Sequence, residues 1–152
     1  MSRATDQSKT QNRFKISKKL LILTVAGGIT FWVTSIATSL LPIAAEYRAA
    51  FSNWSMQTVW IGSLPMGMAF GCCVSYFLLR FFDKLPGGDP IVKSMILSAI
   101  TLTVAVLLVD VPMVSHASSD ALYYFFIGVV FNAVRFLFLG IAVGYLYKRL
   151  YG

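Results

Sequence analysis

The sequence predicts an all-α integral membrane protein whose four transmembrane helices form a bundle. Three observations favour this fold class. Of the 152 residues, 57% are hydrophobic and only 12% are charged, and the mean hydropathy of +0.73 lies outside the range of soluble domains. Four apolar runs each approach the roughly 20 residues that cross a hydrocarbon core. The basic residues are also distributed unevenly between the segments that join these runs.

The four apolar runs place the spans at about 20–45, 58–80, 92–114 and 121–147. Residues 20–152 are therefore expected to form one four-helix transmembrane domain. The first run is longer than a signal-peptide core, so we expect a true span. Residues 1–19 are polar and basic, and we predict a disordered arm that lies on anionic lipid headgroups. A short interfacial helix through 13–19 remains an alternative.

The positions of the basic residues predict the orientation, because cytoplasmic flanks retain lysine and arginine. Eleven of the thirteen basic residues fall on one side of the predicted membrane: Arg3, Lys9, Arg13, Lys15, Lys18, Lys19, Arg80, Lys84, Lys93, Lys148 and Arg149. Both termini are then cytoplasmic, in a plasma membrane or a bacterial inner membrane. The same rule explains most of the net charge of +7, so we expect no nucleic-acid partner.

A faint internal repeat relates the two halves of the chain. GCCVSYFLLR at 71–80 and GIAVGYLYKR at 140–149 share Gly, Val, Tyr and Arg at the same four places. Two duplicated hairpins that run in the same direction would produce this pattern. The alternative is that helices ending at the cytoplasmic face commonly finish with interfacial tyrosine and a basic residue.

Arg135 lies within the fourth apolar run, about 20 Å from either end of the predicted helix. An arginine at this depth costs about 2.5–3.5 kcal/mol to insert, so it needs a partner. Side chains lean toward the N-terminus of their helix, which directs Asp110 and Arg135 toward each other from antiparallel helices. Asn132 lies one turn from Arg135 and is placed to bridge them. We therefore predict a buried cluster of Asp110, Asn132 and Arg135.

This predicted cluster has two interpretations. It lines a polar path or binds an anionic group, or else it is a structural pair that fixes the helix register. An arginine that reaches a lipid phosphate is a variant of the second interpretation.

Small residues at four-residue spacing predict close helix packing. The predicted packing residues are Ser63, Gly67, Gly71, Ser75, Gly140 and Gly144. We favour packing within the chain over a dimer face.

The sequence contains no arrangement of residues that points to catalysis, a metal or a cofactor. Cys72 and Cys73 are adjacent, which suits neither a shared metal nor an easy disulfide. His116 is the only histidine, so a haem or clustered metal site is not expected. We expect no enzyme, but a non-catalytic accessory or scaffold subunit that associates with itself or with a membrane-protein partner. The alternative is a small transporter or channel subunit built around Arg135.

Overall fold

The structure, a computed structural model, describes residues 2–51, 55–114 and 120–151, and within these ranges it describes side chains from residue 16 onward except at 50, 51, 113, 114 and 121. These residues form helices joined by short connections. The helices are α1 (Ser2–Ser39), α2 (Pro42–Phe51), α3 (Met56–Phe81), α4 (Pro90–Ala105), α5 (Val111–Val114) and α6 (Ala121–Tyr151). A 3₁₀ turn, Phe82–Lys84, follows α3, and a π-helical turn, Val106–Asp110, joins α4 to α5.

Four helical segments in the described ranges are long and apolar enough to cross a membrane. They are Ile16–Ser39, Met56–Lys84, Pro90–Asp110 and Leu122–Tyr151. The predictions of an all-helical chain and of four helices able to span a membrane are therefore confirmed. The chain is an integral membrane protein by the length and hydropathy of these segments.

The first span ends earlier than the sequence predicted. Residues 20–45 were expected to form one helix, but α1 ends at Ser39 and α2 begins at Pro42. Proline has no N–H to continue the helix, and its ring disfavours the helical conformation of the preceding residue. Leu40 and Leu41 instead donate to the carbonyls of residues three positions earlier, which tightens the end of α1.

The basic arm also differs from the prediction. Residues 1–19 were predicted to be disordered, but α1 is helical from Ser2. An arm that continues an existing helix avoids the cost of nucleation. Its alanine, arginine, glutamine and lysine residues are also good helix formers.

Two glycines on α3 allow α1 and α3 to cross with their backbones in contact. A methyl group built on Gly71 would lie 2.8 Å from the carbonyl oxygen of Thr24 and 2.9 Å from the nitrogen of Gly28. One built on Gly67 would lie 2.9 Å from the oxygen of Gly28. The predicted packing residues of α3 are all buried, and its two glycines face α1 within the same chain.

A second close crossing joins α4 to α6. A methyl group on Gly140 would lie 2.7 Å from the hydroxyl oxygen of Ser98, and one on Gly144 would lie 2.6 Å from the Cα of Ile91. The hydroxyl of Ser94 lies 2.6 Å from the carbonyl oxygen of Gly140, within hydrogen-bond distance. Both predicted glycines on α6 therefore meet α4.

One end of the molecule, which we call the terminal end, brings together the start of the first span and the end of α6. The ammonium of Lys19 lies 4.1 Å from the ring centre of Tyr151. Asp89 accepts from the Ile91 N–H at the start of α4 and from Lys148 at 2.9 Å. The hydrophobic core fills the half of the molecule next to this end. Its buried residues are Leu23, Phe31, Val74, Leu78, Leu97, Phe136, Leu139 and Val143.

The opposite end, which we call the loop end, contains α2. Ser39 joins three segments there: its hydroxyl accepts from the indole N–H of Trp60 at 2.8 Å, and its carbonyl accepts from Arg48 at 3.2 Å. These bonds fix α2 and the start of α3 against the end of α1.

We predict that Gly71→Ala lowers the free energy of unfolding by about 1–3 kcal/mol, because the new methyl group meets backbone atoms that cannot rotate away. Gly62→Ala is the matched control on the same helix, since nothing lies within 4 Å of its built Cβ. The control should be neutral or gain up to about 1 kcal/mol from helix propensity. Unfolding of both variants in mixed micelles measures the difference; equal effects would contradict the backbone crossing.

The pairing of Asp89 predicts a pH dependence. Hydrogen bonds from Lys148 and from the Ile91 N–H hold the pKa of Asp89 below its ordinary value of 3.8. A lowered carboxyl pKa stabilises the folded state above pH 3.8, and this contribution is lost as the pH falls through the folded-state pKa. Asp89→Asn should therefore melt below the wild type at pH 7, and the two melting temperatures should converge in acid. A difference that is unchanged down to pH 2 would contradict this assignment.

Candidate functional site

The π-helical turn positions Asp110 at the loop-end half of the molecule. The N–H of Val111 donates to the carbonyl of Val106, five residues earlier, so the turn contains one residue more than an α-helical turn. Pro112 follows and removes the N–H that would continue the regular ladder. The extra residue turns Asp110 inward, and its side chain is only 7% exposed.

Asn132 bridges the carboxylate and the guanidinium. Its amide nitrogen donates to Oδ2 of Asp110 at 3.0 Å, and its amide oxygen accepts from Nη1 of Arg135 at 3.4 Å. This orientation of the amide satisfies both charged neighbours. The reverse orientation would place the amide oxygen against the carboxylate and the amide N–H groups against the guanidinium. The structure therefore brings together the three residues that the sequence analysis singled out.

Thr38 on α1 is a fourth member of the cluster, which was not predicted from the sequence. Its hydroxyl oxygen accepts from Nε of Arg135 at 3.3 Å and from Nη2 at 3.2 Å. The hydroxyl proton is directed to the carbonyl of Ser35 at 3.1 Å, which leaves the lone pairs for the guanidinium. Threonines spaced four apart along the first span were the available signal, but spacing alone does not show which one meets Arg135.

Arg135 keeps unused hydrogen-bonding capacity. Lys148 and Asp89 form the one ion pair within 4.0 Å in the described ranges, so no described carboxylate touches the guanidinium. Three hydrogen bonds engage three of its five N–H donors, all at 3.2–3.4 Å. Charge-assisted bonds are usually nearer 2.7–2.9 Å. The described protein groups therefore hold this cation loosely.

The cluster lines a cavity of about 150 Å³ between α1, α3, the π-helical turn and α6. Asp110, Asn132 and Arg135 form its polar wall, and the hydroxyl residues Thr58 and Ser63 also line it. Its apolar wall includes Phe31, Met66, Phe70, Val109 and Phe136. A space of this size beside a cation and two polar groups can hold water or a small polar ligand.

Three phenylalanines close the cavity toward the terminal end. The ring centres of Phe31 and Phe70 lie 5.6 Å apart, those of Phe31 and Phe136 5.5 Å, and those of Phe70 and Phe136 4.9 Å. The buried core continues below these three rings, which we call the aromatic floor. The polar cavity is thus confined to the loop-end half of the structure.

The chemistry available to the cluster is recognition of a polar or anionic group. In the part of the chain that the structure describes, no three His, Cys, Asp or Glu side chains are grouped to hold a metal ion. His116 lies outside the described residues. Cys72 and Cys73 are exposed on α3, on the surface that a membrane would cover.

Comparison with known proteins found no matching family model, no matching curated protein and no matching solved structure.

The bridging amide predicts an energetic coupling between Asp110 and Asn132. In a double-mutant cycle, Asp110→Ala and Asn132→Ala should couple by roughly 1–2 kcal/mol, because each change removes the same hydrogen bond to a charged group. Thr103→Ala combined with Asn132→Ala is the control. Thr103 is exposed, and its hydroxyl donates to the carbonyl of Ala99 on its own helix, so this pair should be additive. Additivity in the first cycle would show that the amide does not join the cluster.

Proposed function

We propose that the protein is a non-catalytic membrane subunit that works by association and binds a small ligand in the Arg135 cavity. One observation carries the proposal: a partly buried guanidinium lines a cavity and has no described carboxylate in contact with it. A purely structural arginine in a membrane is expected to be paired and enclosed. Spare donors that face a cavity favour a binding site.

The proposal includes a four-helix bundle with both termini in the cytoplasm, in a plasma membrane or bacterial inner membrane. The terminal end carries most of the basic residues, including Lys19, Lys84 and Lys148, and cytoplasmic faces retain such charge. The cavity then opens in the outer half of the bilayer. The basic arm meets anionic headgroups on the inner face.

A duplication of two hairpins is also part of the proposal. In the first hairpin Gly71 meets Thr24, and in the second Gly140 meets Ser98. Gly71 and Gly140 are the first residues of the two related segments. Each segment therefore begins with a glycine that packs against the first helix of its own hairpin. This shared packing supports descent from one hairpin.

A transporter or channel subunit is the second candidate. The charged cavity favours it, because polar groups within a membrane commonly mark a substrate path. A path across the membrane would also require the floor of Phe31, Phe70 and Phe136 to open and the core beneath it to rearrange. Binding alone requires neither change, so we favour the binding subunit.

Native mass spectrometry of the gently extracted protein tests the proposed function. We predict a small non-covalent adduct that Arg135→Gln removes, because glutamine lacks the charge and the forked donors. Arg80→Gln is the matched control, since Arg80 is exposed near the terminal end and should leave the adduct in place. If folded wild type and folded Arg135→Gln carry the same adduct, or if neither carries one, a binding site at Arg135 is contradicted.

A stoichiometric second protein in the same spectra would identify the partner of an accessory subunit, and a defined multiple of the chain mass would identify a homo-oligomer. Transport requires a separate measurement. The ligand found as the adduct is tested for uptake into liposomes that contain the protein. Uptake that Arg135→Gln abolishes without loss of folding would favour the transporter or channel subunit over the binding subunit.

A further inference from the structure

The cavity beside Arg135 has a lateral opening along α3. Thr58, Gly62 and Met66 line the cavity at four-residue intervals and are also exposed. The first and the last of them are eight residues apart, which is about 12 Å along the helix. Val109 forms the facing edge on the π-helical turn and is 48% exposed. The opening is therefore a slit parallel to the helix axis, which we call the α3 slit.

The surface around the α3 slit is apolar. Met66 is 48% exposed and Leu108, next to Val109, is 71% exposed. These residues belong to the segments that are long and apolar enough to span a membrane. In a bilayer the slit faces hydrocarbon, so a molecule dissolved in the membrane reaches it directly. A small water-soluble anion would first have to leave water for hydrocarbon, at a cost of several kcal/mol or more.

The polar wall of the cavity favours an anionic group. Arg135 has two N–H donors without a described acceptor, and its other three bonds are long. Asp110 is the opposing charge, but Asn132 lies between the carboxylate and the guanidinium and donates to the carboxylate. The amide oxygen thus faces Arg135, and the Asp110 carboxylate, which also lines the cavity, is bonded by the amide and not by the guanidinium.

The apolar wall favours a hydrocarbon chain attached to that anion. Phe31, Phe70 and Phe136 form the floor, and Met66 lies at the edge of the slit. The volume of about 150 Å³ matches an engineered apolar cavity in another protein that holds one benzene. That space takes a carboxylate-sized head and a few methylene groups. A longer chain would have to leave through the α3 slit.

We propose that the Arg135 cavity binds an amphiphile with an anionic head and a single alkyl chain, which enters from the bilayer through the α3 slit. The inference rests on the proposed binding function and specifies its ligand class. The anionic head accepts from the Nη donors of Arg135 that have no acceptor among the described residues. The chain lies against the aromatic floor and Met66 and extends into the surrounding lipid.

Three probes in a non-ionic detergent test this proposal: dodecanoate, dodecanol and acetate. Native mass spectrometry counts the bound molecules and gives a dissociation constant for each probe. We expect one dodecanoate per chain, with dodecanol weaker by at least about tenfold, because it lacks the charge. Acetate should not bind at the concentration at which dodecanoate saturates the site.

Two variants remove different parts of the site. Arg135→Gln removes the cation, and Gly62→Leu fills the α3 slit without disturbing the fold, because nothing lies within 4 Å of a Cβ at Gly62. Each should weaken dodecanoate binding by at least about tenfold. Cys72→Leu is the control for a larger side chain on the exposed surface of α3, and it should change binding by less than about twofold.

The outcomes separate the parts of the proposal. If dodecanol binds as tightly as dodecanoate, the site does not require an anionic head. If acetate binds as tightly as dodecanoate, the site does not require an alkyl chain. Unchanged dodecanoate binding in Gly62→Leu would overturn entry through the α3 slit, even where Arg135→Gln fails to fold. A native adduct that depends on Arg135, in a protein that does not bind dodecanoate, would reject this ligand class and leave the proposed binding function standing.

Discussion

The need to accommodate one guanidinium within an apolar helix accounts for the arrangement at the loop-end half of the structure. Arg135 lies about 20 Å from either end of α6, so its own helix ends cannot solvate it. Thr38 reaches it from the end of α1, and Asn132 reaches it from the preceding turn of α6. The π-helical turn before Pro112 directs a carboxylate toward that amide. Each of these contacts reduces the cost of the charge, but none is a direct ion pair.

Close helix crossings explain why space remains around this charge. Gly67 and Gly71 bring α1 and α3 into backbone contact, and Gly140 and Gly144 do the same for α4 and α6. The core fills the terminal-end half between the two pairs of helices. Toward the loop end, small residues and the π-helical turn leave the wall between α3 and α4 incomplete. The cavity and the α3 slit are the result, and both lie beside Arg135.

The sequence was informative wherever depth and direction alone decide an outcome. Apolar length located four spans, and the lean of side chains on antiparallel helices directed Asp110 and Arg135 toward each other with Asn132 between them. Prediction from the sequence failed where contacts between distant segments determine the structure. The role of Thr38 depends on the rotation of α1 against α6, and the π-helical turn depends on how the chain accommodates Pro112. The cavity is a property of the packing between helices, which no single stretch of sequence specifies.

A crystal structure grown from a lipid mesophase, at a resolution that shows ordered water, would test the central claim most directly. The account predicts non-protein density within about 3.5 Å of the Nη donors of Arg135 that lack an acceptor in the described ranges, continuous with the slit at Gly62. Water or an anionic head group would both satisfy this prediction. A carboxylate from this chain or a second copy bound directly to the guanidinium, in a closed and dry site, would contradict it. Arg135 would then be a structural residue, and the binding function would have to be abandoned.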